Sequence, residues 1–391
     1  MTKACYVGVA GKARKVKKIY TGVANKARKV KKAYVGVGGK ARLFYSAEQK
    51  LSYYGTATPL SVARGDLAAT TVGNYGLFVG GGYMTYYFRN TVDAYSASLV
   101  RSTPTALTER KYNMAATTVG NYGLFGGGVL SLGGGDRSQS DTVDAYSTTL
   151  VRSNPAKLIT YSRSLAATTV GNFALFGGGY GDSGFLSYVS AYSATLVRST
   201  PTELSHVREG LAATSVGNYG LFGGGYAYGD FLSSVDAYST SLVRSTPTPM
   251  KNVRYLSAAT TVGNFALFGG GEMDLAQGST NSTDTVDAYS ATLVRSTPTA
   301  LGTKRRELAA TTVGNYGLFG GGLYSGGVAD QNMVDAYSAT LVRSTPTRLS
   351  QRRYGLAATT VGNYGIFGGG HYYDPDDNPA RSSIVDAYTV V

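Results

Sequence analysis

The sequence predicts an all-β fold assembled from repeated four-stranded antiparallel sheets, and three observations carry that expectation. A nine-residue phrase, GNYGLFGGG at Gly120 to Gly128, returns with small changes near residues 73, 171, 217, 263, 314 and 362. The valine before it (Val72, Val119, Val170, Val216, Val262, Val313, Val361) recurs every 46 to 51 residues, an interval at which propeller blades repeat. The composition agrees, with 53 Gly, 32 Tyr and no Trp in 391 residues and only 15 % charged side chains, against about 25 % in ordinary soluble domains.

Residues 1–45 form a separate region with a shorter repeat. YVGVAGKARKVKK starts at Tyr6, YTGVANKARKVKK at Tyr20 and YVGVGGKARLFYS at Tyr34, at a spacing of 14. Alternation in Val7-Gly8-Val9 and Arg14-Lys15-Val16-Lys17 favours short strands over a helix. So short a unit cannot bury a face alone, so its copies must stack. Of the 37 Lys and Arg, 13 lie in this arm with no acid, and the other 24 stand against 23 acids in residues 46–391. The arm therefore carries the basic charge and the body is close to neutral. An attachment or oligomerisation stalk is expected at 1–45, and any nucleic-acid contact is confined to it, where basic residues interleave with Tyr.

Residues 46–391 are expected to form the propeller. In the copy from Leu211 to about Leu256, LAATSV is a first strand ending at the Gly217-Asn218 turn and YGLFGG a second. SVDAYS is a third and LVRSTPT a fourth, closed by Pro-containing turn chemistry. The glycine run implies positive φ or close approach of strands, and the Leu and Phe before it are expected to pack between blades.

A double glycine after an apolar strand, a tyrosine further on (Tyr95, Tyr146, Tyr192, Tyr238, Tyr289, Tyr337, Tyr388) and a basic residue before the next Ala-Ala resemble Kelch repeats. The basic residue is Arg64, Lys111, Arg208, Arg254, Arg305 or Arg353, with Arg163 one place later in the third copy. The chain departs from the Kelch pattern in its fourth strand, where Val-Arg-Ser stands in place of Trp (Val100, Val151, Val197, Val243, Val294, Val342). The last copy stops at VDAYTVV, and YYGTATPL before the first copy matches VRSTPTAL. The expected fold is a seven-bladed Kelch-like propeller in which the N-terminal segment supplies the missing outer strand of the last blade and removes an open edge.

In such meanders the turns after strands one and three share one end, and those after strands two and four share the other. The first end is nearly identical in all copies; the second varies, in 83–90, 129–141, 180–188, 226–234, 272–284, 323–333 and 371–383. Varied loops on a regular scaffold are where binding is expected. The candidate ligand-binding residues are Tyr83, Tyr86, Tyr87, Phe88, Tyr180, Phe185, Tyr188, Tyr226, Tyr228, Phe231, Tyr324, Tyr372 and Tyr373. Rigid aromatics among Gly, Ser and Asp make a paratope-like mixture, and tyrosine faces stack on sugars.

Other chemistry is weakly supported. With Cys5 alone and two histidines, His206 and His371, no metal or cofactor is expected. Asp374, Asp376, Asp377 and Asn378 read as a solvated turn rather than a calcium loop. Asp182, Asp230, Asp274 and Asp330 suit turn shaping more than acid–base pairing. The repeated Asp93, Asp144, Asp236, Asp287, Asp335 and Asp386, with Ser190 in the third copy, suggests cross-strand pairing with Arg101 and its equivalents.

The GKARKVKK repeats resemble segments of phage and prophage tail or virion proteins of Gram-positive bacteria. That resemblance implies a non-enzymatic binding protein of a virion or tail-like particle, assembled in the cytoplasm without a signal peptide. Its propeller would recognise a surface glycan or protein, and its arm other particle subunits. The alternatives are a cytoplasmic Kelch scaffold and a carbohydrate-active enzyme. No apolar run reaches about 18 residues, so no membrane insertion is expected.

Overall fold

The computed structural model describes residues 6–9, 12–15, 20–23, 26–30, 32–37, 40–46, 50–83, 87–133, 136–275, 279–324 and 329–391. They divide into two units, Met1–Lys50 with Val391, and Leu51–Val390. No helix among the described residues is long and apolar enough to cross a membrane.

In the first unit each 14-residue repeat forms one antiparallel hairpin. Tyr6–Val9 pairs with Lys12–Lys15, Tyr20–Val23 with Lys26–Lys29, and Lys32–Val37 with Lys40–Ser46. The register places Tyr6 opposite Lys15 and Tyr20 opposite Lys29, so the repeat unit and the hairpin coincide.

In the second unit the described residues form seven four-stranded antiparallel sheets. Sheet 1 runs Ala68–Val72, Tyr75–Val79, Val92–Ser96 and Arg101–Ser102, each strand pairing with the next. Sheets 2 to 6 repeat that order. Sheet 7 takes Ala357–Val361, Tyr364–Gly368 and Val385–Val390 from its own repeat, and its fourth strand is Leu51–Ala57. Val385 stands opposite Ala57 and Val390 opposite Leu51, the pairing expected from the match of YYGTATPL to VRSTPTAL.

The second strand of each sheet explains the packing. Successive side chains point to opposite faces of a strand, yet Leu77 and Phe78 are both fully buried. Each sheet is therefore covered on both faces. Val72, Leu77 and Ala94 of sheet 1 cluster with Phe125 and Tyr146 of sheet 2, while Phe78 and Tyr95 of sheet 1 cluster with Val361, Ile366 and Ala387 of sheet 7. The glycine ending the second strand makes room for this: a Cβ on Gly126 would lie 3.0 Å from the Phe176 ring. The seven recurring tyrosines are buried, and each hydroxyl donates to a backbone carbonyl, as Tyr95 does to Thr58 at 2.8 Å and Tyr238 to Thr202 at 2.7 Å.

The repeated aspartate lies fully buried and takes two partners. One is the arginine expected from the sequence: Arg244 lies 3.1 Å from Asp236 and Arg295 lies 3.0 Å from Asp287. The other, unforeseen, is the buried basic residue before Ala-Ala, at 2.8 Å for Arg64–Asp93, 2.7 Å for Arg305–Asp335 and 3.5 Å for Lys111–Asp144. In sheet 7, Tyr53 of Leu51–Ala57 donates to Asp386 at 2.7 Å, standing where the other sheets use arginine. Sheet 3 corrects one expectation. Arg163 does not occupy the buried basic position. Ser162 does, donating to Gly178 O at 3.0 Å, while Ser190 replaces the aspartate and accepts from the Ile159 amide at 3.1 Å. Arginine and aspartate are lost together there, because either one alone would be a buried, uncompensated charge.

Candidate functional site

Both sets of variable connections meet at one end of the sheets. The residue after the buried basic position pairs through its backbone with the residue that leaves the glycine run, which is the last glycine in the first repeat and the next residue in the others. The pairs include Gly65 with Gly82, Arg163 with Tyr180, Glu209 with Tyr226, Tyr255 with Glu272, Arg306 with Leu323 and Tyr354 with His371. Two positive-φ glycines turn the chain into this position, as at Gly127 (φ 71°) and Gly128 (φ 107°). A Cβ on Gly127 would sit 2.5 Å from Ser162 O, so the phrase admits only glycine there.

The structure brings five of the candidate aromatics together. Phe185, in the short hairpin of the third repeat, contacts Tyr180 at 5.1 Å and reaches Tyr226 at 5.6 Å and Tyr228 at 5.1 Å in the hairpin of the fourth repeat. Tyr226 contacts Phe231 at 5.5 Å. These are edge-to-face or tilted geometries that favour aromatic pairs. Tyr228 is 77 % exposed. Tyr255, a residue the sequence reading missed, completes the cluster at 5.8 Å from Tyr226 and stacks on Phe231 at 6.0 Å. It lies in a fourth-strand connection, outside the segments that follow the glycine runs. The Arg163 guanidinium sits 4.8 Å over the Tyr180 ring and 3.8 Å from Glu209.

The remaining candidates lie elsewhere. Phe88 is buried against Tyr112 at 4.6 Å and belongs to the packing, not to the accessible rim. Tyr83 and Tyr87 pair in a short hairpin, where Tyr87 is exposed; Tyr86 lies outside the described residues. Tyr188 and Tyr324 are exposed. Tyr373 stacks on Tyr354 at 6.3 Å, and Tyr372 sits beside it on the His371–Tyr373 strand, half-buried. Asp182 and Asp230 are exposed at hairpin turns. Asp374 accepts from the amides of Asp376 and Asn378 at 3.0 and 2.8 Å, the turn expected for that segment. Among the described residues no three His, Cys, Asp or Glu gather as a metal site.

Inside the rim lies a funnel of about 510 Å³ that the sequence reading did not anticipate. Its upper tier is Asp66, Asn113, Ser164, Gly210, Leu256, Glu307 and Gly355, one from each repeat, all with φ between 52° and 62°. Each amide donates to the carbonyl of its counterpart one repeat earlier, from Asn113 to Asp66 at 3.1 Å through to Gly355 to Glu307 at 3.0 Å. Asp66 in turn donates to Gly355 at 2.9 Å. The tier below is leucine or methionine in every repeat but one, where Ser257 stands.

The electrostatics of the funnel are uneven. His371 Nε2 lies 2.9 Å from Asp66, and the ring stacks on Tyr354. Burial, then the neighbouring Asp66 carboxylate, raises the pKa of Glu307. Burial also raises Glu209, against the opposing pull of Arg163, and pushes the Tyr255 phenol up to about 12.

No protein-family model matches the chain, and no curated protein does. Among solved structures 536 chains match, so the architecture is shared widely and does not single out an activity. One of them, described as "Structure of YjhT", aligns over 74 % of this chain and 99 % of its own at a TM-score of 0.60 and 11 % identity. At that identity the likeness is one of fold, and it agrees with a β-propeller-like, all-β architecture.

Proposed function

We propose that this chain is a non-enzymatic binding protein that recognises a cell-surface glycan or protein through the varied end of a seven-bladed, Kelch-like propeller closed by Leu51–Ala57. The observation that carries the binding reading is the aromatic surface formed by Phe185, Tyr226, Tyr228, Phe231 and Tyr255 across two neighbouring repeats. Exposed aromatic surface of this kind marks a partner. Closure is supported by the run of amide-to-carbonyl bonds through all seven repeats and by the strand shared between the ends of the second unit. The Kelch reading rests on the Gly-Gly, Tyr and Arg spacing.

The basic hairpin arm is proposed to attach the propeller to a virion or tail-like particle, which its resemblance to tail-protein repeats supports. Binding is tested with a glycan array and intact host cells. Wild type binds above background, and Tyr228→Ala with Phe185→Ala reduces binding about tenfold or more, the loss of one hot spot. Background-level binding of wild type to every glycan and cell overturns the proposal. A chain lacking residues 1–45 is expected to bind cells yet fail to enter particles; normal incorporation removes the attachment role.

A further inference from the structure

The upper tier of the funnel has a pattern unlike any other repeated position. A residue at φ between 52° and 62° is strained by its Cβ, and glycine relieves the strain. At the other left-handed positions that recur from repeat to repeat the residue type is constant, as with Gly at 73 and its equivalents and Leu at 99 and its equivalents. The funnel tier instead carries Asp, Asn, Ser, Gly, Leu, Glu and Gly in turn. Its backbone is equivalent around the circuit while its side chains are individual, and five of seven retain a side chain where Gly210 and Gly355 show that glycine fits. Backbone strain kept at a concave site points to use by a ligand.

The chemistry of the tier is directional. Glu307, Asp66, Asn113 and Ser164 make a polar, acceptor-rich arc interrupted only by Gly355, beside which His371 packs. The opposite arc is apolar: Leu256 and Gly210, the latter covered so closely by the Tyr255 ring that a Cβ there would lie 1.9 Å from it. Below both lies the leucine tier, where Ser257 presents a buried hydroxyl oxygen without a hydrogen-bond partner. The volume suits a small molecule. A compact ring with many O–H or N–H donors on its edge and apolar C–H on its face matches the lining.

We infer that the funnel is a second binding site, separate from the aromatic rim, which takes one neutral or amino hexose unit, free or at the end of a glycan. Its hydroxyl or amine donors meet Asp66, Asn113, Ser164 and Glu307, and its apolar face lies against Tyr255 and Leu256. An acidic sugar would set its carboxylate against Asp66 and Glu307, while the nearby basic groups are already engaged: Arg163 with Glu209 and Tyr180, Arg306 with Glu272 and Glu307, and His371 with Asp66. This inference goes beyond the rim reading and does not depend on it.

The test is titration calorimetry with saturation-transfer NMR on the full chain, using methyl glycosides of neutral hexoses, hexosamines, N-acetylhexosamines and hexuronic acids, then cell-wall oligosaccharides ending in the same units. Binding of a neutral or amino glycoside is expected. Glu307→Gln weakens it about tenfold by removing a charged acceptor. Glu307→Gly abolishes it while raising the melting temperature, because the strain is released. Val243→Thr, on the uniform end, leaves it unchanged. Preference for oligosaccharides over the glycosides assigns the unit to a glycan terminus, and equal affinity assigns it to the free sugar; both uphold the site. Selective binding of hexuronic acids, affinity unmoved by Glu307→Gln, or no glycoside bound at millimolar concentration overturns it. Cell binding can persist in that last case, so failure here is distinct from failure of the rim.

Discussion

Asp236 shows how one residue type serves the whole array. Its carboxylate accepts from the Ser205 amide at 3.1 Å and from Arg244 at 3.1 Å, besides pairing with the fully buried Arg208. Burial pulls Arg208 below its ordinary pKa, and Asp236 opposes that pull. Asp236→Ala is expected to destabilise the fold by about 3–5 kcal/mol, since it strands a buried guanidinium, read as a lower urea midpoint at unchanged slope. Arg208→Ser with Asp236→Ser, which copies sheet 3, should be less destabilising than Asp236→Ala alone; an equal or larger loss would contradict the pairing account. At Gly224 (φ 72°), a Cβ would meet Arg254 O at 2.6 Å. Gly224→Ala is expected to lower stability by about 2 kcal/mol or more through strain and overlap together, measurable in the same titration.

At the scale of elements, the strand Leu51–Ala57 is the one whose loss should matter most. It covers the third strand of sheet 7 and brings Tyr53 to Asp386 and to the Tyr388 ring at 5.2 Å. Deleting residues 1–57 exposes that edge and is expected to give aggregation or an unfolded second unit, whereas deleting 1–45 keeps a folded one. Equal melting temperatures for the two truncations would show that this strand contributes little. The fourth strands themselves are short, two residues in sheets 1 to 6, and a short outer strand offers little edge for pairing with another chain.

Across the whole molecule, two sets of titrating side chains set pH responses of the same sign in different pH ranges. Burial raises the phenol pKa of all seven repeated tyrosines above the ordinary 10.0, as at Tyr95 and Tyr388. A raised folded pKa means their contribution is complete below pH 10 and lost as pH climbs through the raised value. Phenolate absorbance of these seven is therefore expected to appear in one cooperative step with unfolding above pH 10; their titration near pH 10 in a chain that stays folded would contradict it. Glu307 is raised as well, so its contribution is complete below its ordinary value of 4.5 and is lost as pH rises through the raised one. Glu307→Gln should then be more stable than wild type at neutral pH, with the difference closing in acid. The funnel and the rim open at the same varied end, so a glycan could place one unit in the funnel and its neighbours on the aromatics.

Repetition made much of this legible in the chain itself. Seven copies of one phrase determine the strand order of each sheet, because Gly-Asn turns and an alternating apolar pattern are local signals. The same comparison identified the uniform and varied ends, the match of YYGTATPL to an outer strand, and the loops that hold Tyr180, Phe185, Tyr226, Tyr228 and Phe231. It misjudged Phe88, which is buried against Tyr112 of the following connection. It missed Tyr255, the pairing of Arg64 with Asp93 and the funnel altogether. These belong to the tertiary structure because each joins residues about 30 or more positions apart, or in different repeats, through distances that no local pattern encodes. The tier from Asp66 to Gly355 is the clearest case: along the chain it is seven unrelated letters, and it is a site only because hydrogen bonds between repeats bring those letters into one circuit.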